Sequence, residues 1–183
     1  GRGGTLRHLV GMRFTFGVDL SSEALRWAKQ RGLAVAQADA LKLPFKAGVF
    51  TKILSQDADA WMYSKDALAQ ELRRVAKDHC SLVLQTYARS EMMPPDLIEA
   101  TNSFLKPCGY SRYELPVVEH TPAVLEAAGW HVEQITLLHS LYAADNEQMI
   151  SRLERNKEVI EARYGLDDVT SMENLLRHER FLF

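Results

Sequence analysis

Hydrophobic and polar positions alternate along the first half of the chain in a way that predicts strands and helices in turn. Strands are expected at residues 13–19, 33–37, 49–55 and 81–87, which are short and rich in aliphatic, β-branched and aromatic residues. Helices are expected at residues 5–10, 23–30 and 64–75, where apolar residues cluster on one face. Strands that alternate with helices over short links indicate an α/β fold with a mostly parallel, doubly wound sheet.

The pattern changes after Tyr87, where helices become longer and strands rarer. We expect helices at residues 96–106, 121–129 and 170–183, and an antiparallel strand at residues 130–138, where hydrophobic and polar residues alternate. Residues 145–164 predict a long charged helix with an apolar stripe. That helix is either a solvated surface element or, through its stripe, a lid or a homodimer contact.

Composition limits the classes of function. The chain has 183 residues, with 22 Lys and Arg against 24 Asp and Glu, for a formal charge of -2. This balance argues against a dedicated nucleic-acid-binding protein, which carries a basic excess. No apolar stretch approaches the roughly 20 residues that span a bilayer. Two cysteines form no disulfide framework and no group has metal-ligand spacing, so we expect no metal site and a cytoplasmic setting.

Open α/β sheets bind ligands at the carboxyl ends of their strands. The glycines at residues 1–4 and Asp19 are the first two candidates for such a position. Residues 1–4 (Gly-Arg-Gly-Gly) lead into the helix at Thr5, and glycines there let backbone N–H groups approach an anionic or carboxylate ligand. The alternative is an artificial N-terminal extension. Asp19 ends the first predicted strand and is placed to accept both hydroxyls of a ribose. Its alternative role is to cap the following helix.

A second acid, Asp39, follows the next predicted strand between two alanines. Its carboxylate is suited to accept a hydrogen bond from the exocyclic amine of an adenine, while small neighbours expose backbone N–H groups to the ring. The alternative is a turn residue. Glycines, a ribose-binding acid and an adenine-binding acid at successive strand ends together predict an adenosyl ligand.

The sequence resembles class I S-adenosylmethionine-dependent methyltransferases of the small-molecule branch, over residues 1–140. The resemblance lies in the glycine segment at residues 1–4, the ribose motif at 17–21, the adenine-side motif at 38–45, the strand at 50–58 and the helix, glycine and aromatic at 121–130. It implies a Rossmann-like fold and S-adenosylmethionine as cofactor. The cofactor-binding residues that it implies are Gly1, Gly3, Asp19, Leu20, Asp39, Ala40 and Gln56.

The family pattern also has features that this sequence lacks. It begins with a first strand, an acid and a further glycine, so we expect that strand to be missing from the chain and to precede Gly1. Residues 76–79 replace the usual Leu-Lys-Pro-Gly turn. The resemblance implies a methyltransferase core at residues 1–140 and a C-terminal helical extension at residues 141–183.

A narrower likeness concerns the methyl acceptor. Residues 55–58 (Ser-Gln-Asp-Ala) and the helix around residues 152–155 look like those of sarcosine/dimethylglycine and phosphoethanolamine N-methyltransferases. This implies a small-molecule acceptor, with an amine as the candidate.

Three residues are candidates for the substrate side of the site. Asp57 is placed to hold a substrate amine or to accept its proton, and otherwise serves as a cap or turn residue. Trp61 offers a ring to a methylated ammonium, or packs on the core. Tyr142 is a candidate to close the pocket from the C-terminal region.

Two other functions share part of this pattern. An NAD-binding Rossmann oxidoreductase also uses glycines and an acid such as Asp19, although Asp39 and the late strand favour the methyltransferase. A non-catalytic, methyltransferase-like subunit that binds a partner protein is the other alternative. Nucleic-acid and membrane partners are not expected.

Overall fold

The computed structural model describes residues 1–9, 14–59, 62–96, 98–99 and 115–164. The chain divides into two compact units. The first comprises Gly1–Tyr87 and His120–His131, and the second comprises Ala88–Glu119 and Val132–Phe183. The predicted division into a core at residues 1–140 and an extension at residues 141–183 stays a prediction.

Two pairs of parallel strands lie in the first unit. Strand β1 (Gly17–Asp19) pairs with β2 (Val35–Gln37), and β3 (Phe50–Gln56) pairs with β4 (Ala76–Gln85). The predicted parallel α/β arrangement is therefore confirmed. Within the described residues the strands form two separate sheets of two strands each, so a single doubly wound sheet is not observed there. The expectation of a missing first strand stays a prediction.

Four helices accompany these strands along the chain. They are α1 (Leu6–Leu9), α2 (Ser22–Gln30), α3 (Lys65–Val75) and α4 (Thr121–Ala127). Serine side chains cap the N-termini of α2 and α3: Ser21 accepts from Ala24 N, and Ser64 accepts from Ala67 N. Helix α4 begins at Thr121, where the predicted helix also begins, and His120 before it makes no side-chain cap hydrogen bond.

The core of the first unit forms where α3 covers the β3–β4 pair. Its buried centre consists of Leu43, Leu68, Leu72 and Val75, with Ile53, Leu82 and Trp130 among the residues packed around it. Burial of each such side chain contributes about 1.5–3 kcal/mol to stability. The Trp130 indole also donates to the carbonyl of Ala69, 3.1 Å away, which fixes the chain after α4 against α3.

The chain after α4 differs from the sequence prediction in two places. Residues 130–138 adopt neither helix nor strand, so the antiparallel C-terminal strand is not confirmed. Alternation alone cannot make a strand without a partner, and Ile135 and Leu137 are exposed. The charged helix predicted at residues 145–164 is two helices, α5 (His139–Arg155) and α6 (Lys157–Tyr164).

Asn156 separates α5 from α6. Its side-chain amide donates to the carbonyl of Arg152 at 2.7 Å, and its backbone N–H donates to the carbonyls of Arg152 and Leu153. A side chain that competes for backbone groups ends a helix, and periodicity does not report this. Of the other predicted helices, residues 96–106 lie mostly and residues 170–183 entirely outside the described part. None of the described helices is both long and apolar enough to cross a membrane.

Candidate functional site

The glycine segment lies against the C-terminal half of α2 and reaches the end of β1. The guanidinium of Arg31 donates to the carbonyl of Arg2 at 3.0 Å, and Arg2 itself lies over the ring of Trp27. The backbone nitrogen of Gly1 contacts Asp19 Oδ2. The structure thus brings together the first two features that the sequence placed in one site.

Gly3 has a structural reason to be glycine. Its φ is +80°, and a Cβ built on it would lie 2.3 Å from Leu33 Cδ1 and 3.3 Å from Ala28 Cβ. Neither the backbone conformation nor the space admits a side chain. The absence of a side chain therefore serves the packing of this segment on α2 as well as any approach to a ligand.

Asp19 uses its two oxygens differently. Oδ2 faces the glycine segment, and Oδ1 accepts from the N–H of Ser21 at 2.7 Å, in the turn before α2. The cap of α2 itself is Ser21, so the alternative in which Asp19 caps the helix is replaced by a turn contact. The carbonyl of Asp19 accepts from Ala38 N at 3.1 Å, which joins the ends of β1 and β2.

Asp39 and Leu20 lie beside this junction. Asp39 Oδ1 accepts from Leu41 N at 2.9 Å, and its carbonyl accepts from Lys42 N, so the turn role is observed. The Asp39 side chain is exposed at the strand end, and Ala40 packs toward the core. Leu20 exposes its side chain, while its carbonyl is held by the amide of Gln37. Their cofactor roles stay predictions.

A hydrogen bond between side chains links the glycine segment to β3. Thr5 Oγ1 donates to Gln56 Oε1 at 2.5 Å, across 51 positions of sequence. Gln56 is the last residue of β3, so the start of α1 and the end of β3 meet at the same edge as Asp19. The sequence identified Gln56 as a site residue but Thr5 only as the start of a predicted helix, because no local pattern reports such a distant contact.

Asp57 follows Gln56 in an unusual backbone conformation. Its φ is +51°, and its N–H donates to the carbonyl of Gln85 at 2.8 Å. Asp57 Oδ1 is buried and makes no hydrogen bond with the described part of the protein. Burial, and secondarily the nearby charge of Asp59, raise the pKa of Asp57 above its ordinary value of 3.8. A carboxylate of this kind is prepared to bind a cation or take up a proton.

Asp59 is a neighbour that sequence reasoning missed. Its side chain is only 4% exposed, and its carbonyl accepts from the ammonium of Lys65. Lys65 also donates to the carbonyl of Met62 at 2.9 Å, so α3 holds the chain that follows Asp57. A sequence signal existed in the repeated Asp-Ala of residues 57–60, but its burial depends on α3.

The side chains of the two aromatic candidates lie outside what the structure describes. Trp61 lies outside the described residues. Tyr142 belongs to α5 in the second unit, and its side chain is outside what the structure describes. Their substrate-binding roles stay predictions.

Comparison with known families gives a match to the N-terminal part of the chain. The family model for a methyltransferase domain matches residues 1–84, a stretch that includes the glycine segment, both strand-end acids and Asp57. Comparison with curated proteins gives no significant match.

Several solved structures share the fold. Phosphoethanolamine N-methyltransferase 2 from Haemonchus contortus is 19% identical, with a TM-score of 0.84 over 99% of this chain and 43% of its own. A protein described as a sarcosine dimethylglycine methyltransferase from Galdieria sulphuraria is 15% identical, with a TM-score of 0.82 over 99% of this chain and 69% of its own.

A cyclopropane synthase from Mycobacterium tuberculosis is also similar. It is 14% identical, with a TM-score of 0.86 over 100% of this chain and 70% of its own. At these identities the likeness concerns the fold, and the chain spans less than half the length of the Haemonchus enzyme. The α/β fold expected from the resemblance is confirmed.

Proposed function

We propose that this chain, which matches a methyltransferase-domain family model over residues 1–84, transfers a methyl group from S-adenosylmethionine to a small-molecule acceptor, with an amine as the leading candidate. The structures of the Haemonchus enzyme hold S-adenosylhomocysteine with phosphomonomethylethanolamine, or S-adenosylmethionine. Both the cofactor and the acceptor class of the proposal are consistent with these complexes.

One observation carries the proposal: the ends of β1 and β2 are joined directly, and residues 1–5 contact the ends of both β1 and β3. The backbone nitrogen of Gly1 contacts Asp19, the carbonyl of Asp19 accepts from Ala38 N, and Thr5 donates to Gln56. Ligands of open α/β sheets bind outside the carboxyl ends of the strands. A ligand at this edge meets residues suited to a ribose, an adenine and an amino-acid moiety in that order.

In this proposal, each residue binds a different part of the cofactor. Asp19 would accept from the ribose hydroxyls, and the exposed Asp39 would accept from the adenine amine, with Ala40 and the backbone of Leu20 beside the ring. Gln56 would face the methionine part. When bound, S-adenosylmethionine supplies a sulfonium methyl that a nucleophile displaces in line, a reaction in which positioning provides much of the rate.

Asp57 is our candidate for the acceptor side. An amine nucleophile must be neutral to attack, and a substrate ammonium must therefore lose a proton. Asp57 has a buried, unpaired Oδ1 and a raised pKa, so it can hold the ammonium and accept that proton. The substrate-binding roles that the sequence suggests for Trp61 and Tyr142 belong to the same proposal.

A binding experiment tests the cofactor. The purified protein, with folding verified by circular dichroism, is titrated calorimetrically with S-adenosylhomocysteine and separately with NADH. We expect S-adenosylhomocysteine to bind and NADH not to. Binding of NADH alone would instead favour the oxidoreductase, and binding of neither would refute the proposal.

A transfer experiment tests the reaction. Methyl-labelled S-adenosylmethionine is incubated with the protein and with primary, secondary and tertiary small amines, and labelled products are detected by mass spectrometry. We expect a labelled amine. Cofactor binding without transfer to any small molecule would favour the non-catalytic subunit.

A further inference from the structure

An ion pair on α3 holds the loop that carries Asp39. Arg74 Nε donates to Glu71 Oε2 and Arg74 Nη2 donates to Glu71 Oε1, both at 2.7 Å. The guanidinium and the carboxylate thus meet through two parallel hydrogen bonds, the geometry that only arginine provides. Glu71 is 12% exposed and Arg74 is 39% exposed, so the pair lies at the boundary between core and solvent.

The same two side chains bind the backbone of the loop after β2, here called the 39–45 loop. Leu43 N donates to Glu71 Oε1 at 2.6 Å. Arg74 donates to the carbonyl of Phe45 at 2.8 Å and to that of Leu43 at 3.1 Å. Three backbone groups of a segment that is neither helix nor strand are therefore satisfied by a single ion pair.

The rest of the loop transmits this restraint to Asp39. The Leu43 side chain is buried in the core, which fixes one end. Asp39 closes a tight turn, because its carboxylate accepts from Leu41 N and its carbonyl accepts from Lys42 N. Residues 39–42 are thus one rigid turn, attached directly to the residue that Glu71 and Arg74 hold.

We propose that the Glu71–Arg74 pair positions Asp39 for the adenine ring, and so sets the preference of the site for a purine that bears an exocyclic amine. The inference rests on the proposed function, because it assumes that Asp39 faces the adenine. Glu71 and Arg74 are positioning residues that act through the loop backbone and not on the ligand.

The physical reason is the entropy of the loop. Without the ion pair, three backbone groups would bond to water, and the loop on either side of the buried Leu43 would sample more conformations. A hydrogen-bond acceptor whose position varies discriminates poorly between ligands with and without a matching donor. Removal of the pair should therefore reduce selectivity for the amine as well as affinity.

The chain offers a matched control. Glu23 and Arg26 form an ion pair with the same spacing on α2, at 3.9 Å and with both side chains largely exposed. Arg26→Ala removes the same chemical groups from a helix surface of the same unit. Two variants test the pair: Arg74→Ala removes it, and Arg74→Lys keeps the charge but not the two-pronged geometry.

Affinities are measured calorimetrically for S-adenosylhomocysteine and for S-inosylhomocysteine, in which an oxo group replaces the adenine amine. We expect Arg74→Ala to weaken S-adenosylhomocysteine binding about tenfold or more and S-inosylhomocysteine binding much less, so that their affinity ratio falls. Arg74→Lys should fall between Arg74→Ala and the unmodified protein, and Arg26→Ala should match the latter. Hydrogen exchange should increase in peptides from residues 39–45.

The outcomes separate the two proposals. If the unmodified protein binds neither ligand, the proposed function fails and the inference fails with it. If it binds S-adenosylhomocysteine but the affinity ratio is the same in both Arg74 variants, the cofactor proposal stands and the positioning role is refuted. A purely structural role would weaken both ligands equally or lower only the melting temperature.

Discussion

At the residue scale, both side-chain oxygens of Asp19 have contacts within the protein. One oxygen orders the turn before α2 through Ser21, and the other faces the glycine segment. The carboxylate is therefore held in place before any ligand arrives. Preorganised acceptors of this kind lose little side-chain entropy on binding, which supports the proposed role of Asp19 as the ribose acceptor.

We predict that Asp19→Ala weakens the binding of S-adenosylhomocysteine by about 1–3 kcal/mol, the range for hydrogen bonds to a charged group. Isothermal titration calorimetry measures the change. Asp19→Asn keeps an oxygen for Ser21 and separates the loss of charge from the loss of the turn. Asp78→Ala removes an exposed acid near the start of β4 and should have no effect; an unchanged affinity in Asp19→Ala would remove Asp19 from the site.

Asp57 combines a left-handed backbone with a partly buried carboxylate. Aspartate and asparagine tolerate positive φ better than most residues, so its conformation is compatible with either side chain. Its raised pKa means that the charged form is less favourable in the folded protein than in the unfolded chain. The ionised carboxylate therefore reduces stability above the folded pKa, and this penalty is absent once pH falls below about 3.8.

Asp57→Asn should accordingly be more stable than the unmodified protein at about pH 7, and this advantage should disappear on acidification to about pH 3. Urea unfolding at both pH values gives the free energies. Asp78→Asn serves as the control for amidation at an exposed site. An advantage that persists or grows at low pH would contradict the assignment of the raised pKa to Asp57.

At the scale of helices and strands, the glycine segment packs directly against α2. Gly3 contacts the C-terminal part of α2 and the residue that leads into β2, and its positive φ sets the direction in which the chain enters α1. The position of the segment thus depends on close packing rather than on the propensity of four residues. A side chain at residue 3 would displace the segment from Asp19.

We predict that Gly3→Ala lowers the free energy of unfolding by about 1–3 kcal/mol, because the added methyl overlaps Leu33 and the backbone becomes strained. Urea denaturation measures the loss. Gly4→Ala is the matched control, since a Cβ at Gly4 meets nothing within 4 Å. Equal stabilities of the two variants would show that the close approach at Gly3 carries no cost.

Most helices and strands of the first unit follow from sequence periodicity, although their ends shift. Strand β1 is shorter than predicted, and β4 begins at Ala76, directly after α3. The predicted strand at residues 130–138 fails because a strand needs a neighbour, which alternation does not supply. The predicted 145–164 helix breaks where a single asparagine side chain satisfies the backbone of the preceding turn.

At the scale of the whole molecule, hydrogen bonds join parts of the chain that are far apart in sequence. Glu71 joins α3 to a loop 28 residues earlier, and Arg74 does so across about the same separation. The hydrogen bond from Arg74, more than the backbone hydrogen bond from Leu43, holds the pKa of Glu71 below its ordinary value of 4.5. A lowered carboxyl pKa contributes stability that is present above the unfolded value and is lost as pH falls through the folded one.

We predict that Glu71→Gln is less stable than the unmodified protein at about pH 7 and that the difference closes as pH falls below about 4.5. Glutamine keeps an oxygen for Leu43 N, so the difference isolates the charge. Glu23→Gln, on the exposed pair of α2, is the control and should change little at either pH. A difference that stays constant with pH would mean that the charge of Glu71 is not what stabilises the loop.

The sequence by itself determined the alternation of strands and helices, the acids at the ends of β1 and β2, and the likeness to methyltransferases. These follow from periodicity and from residue types at neighbouring positions, which are local properties. Only the tertiary structure decided that Thr5 meets Gln56, that the Asp59 side chain is buried near Asp57, and that an ion pair on α3 holds the 39–45 loop. Such contacts join residues far apart in sequence, because each depends on how several elements pack together.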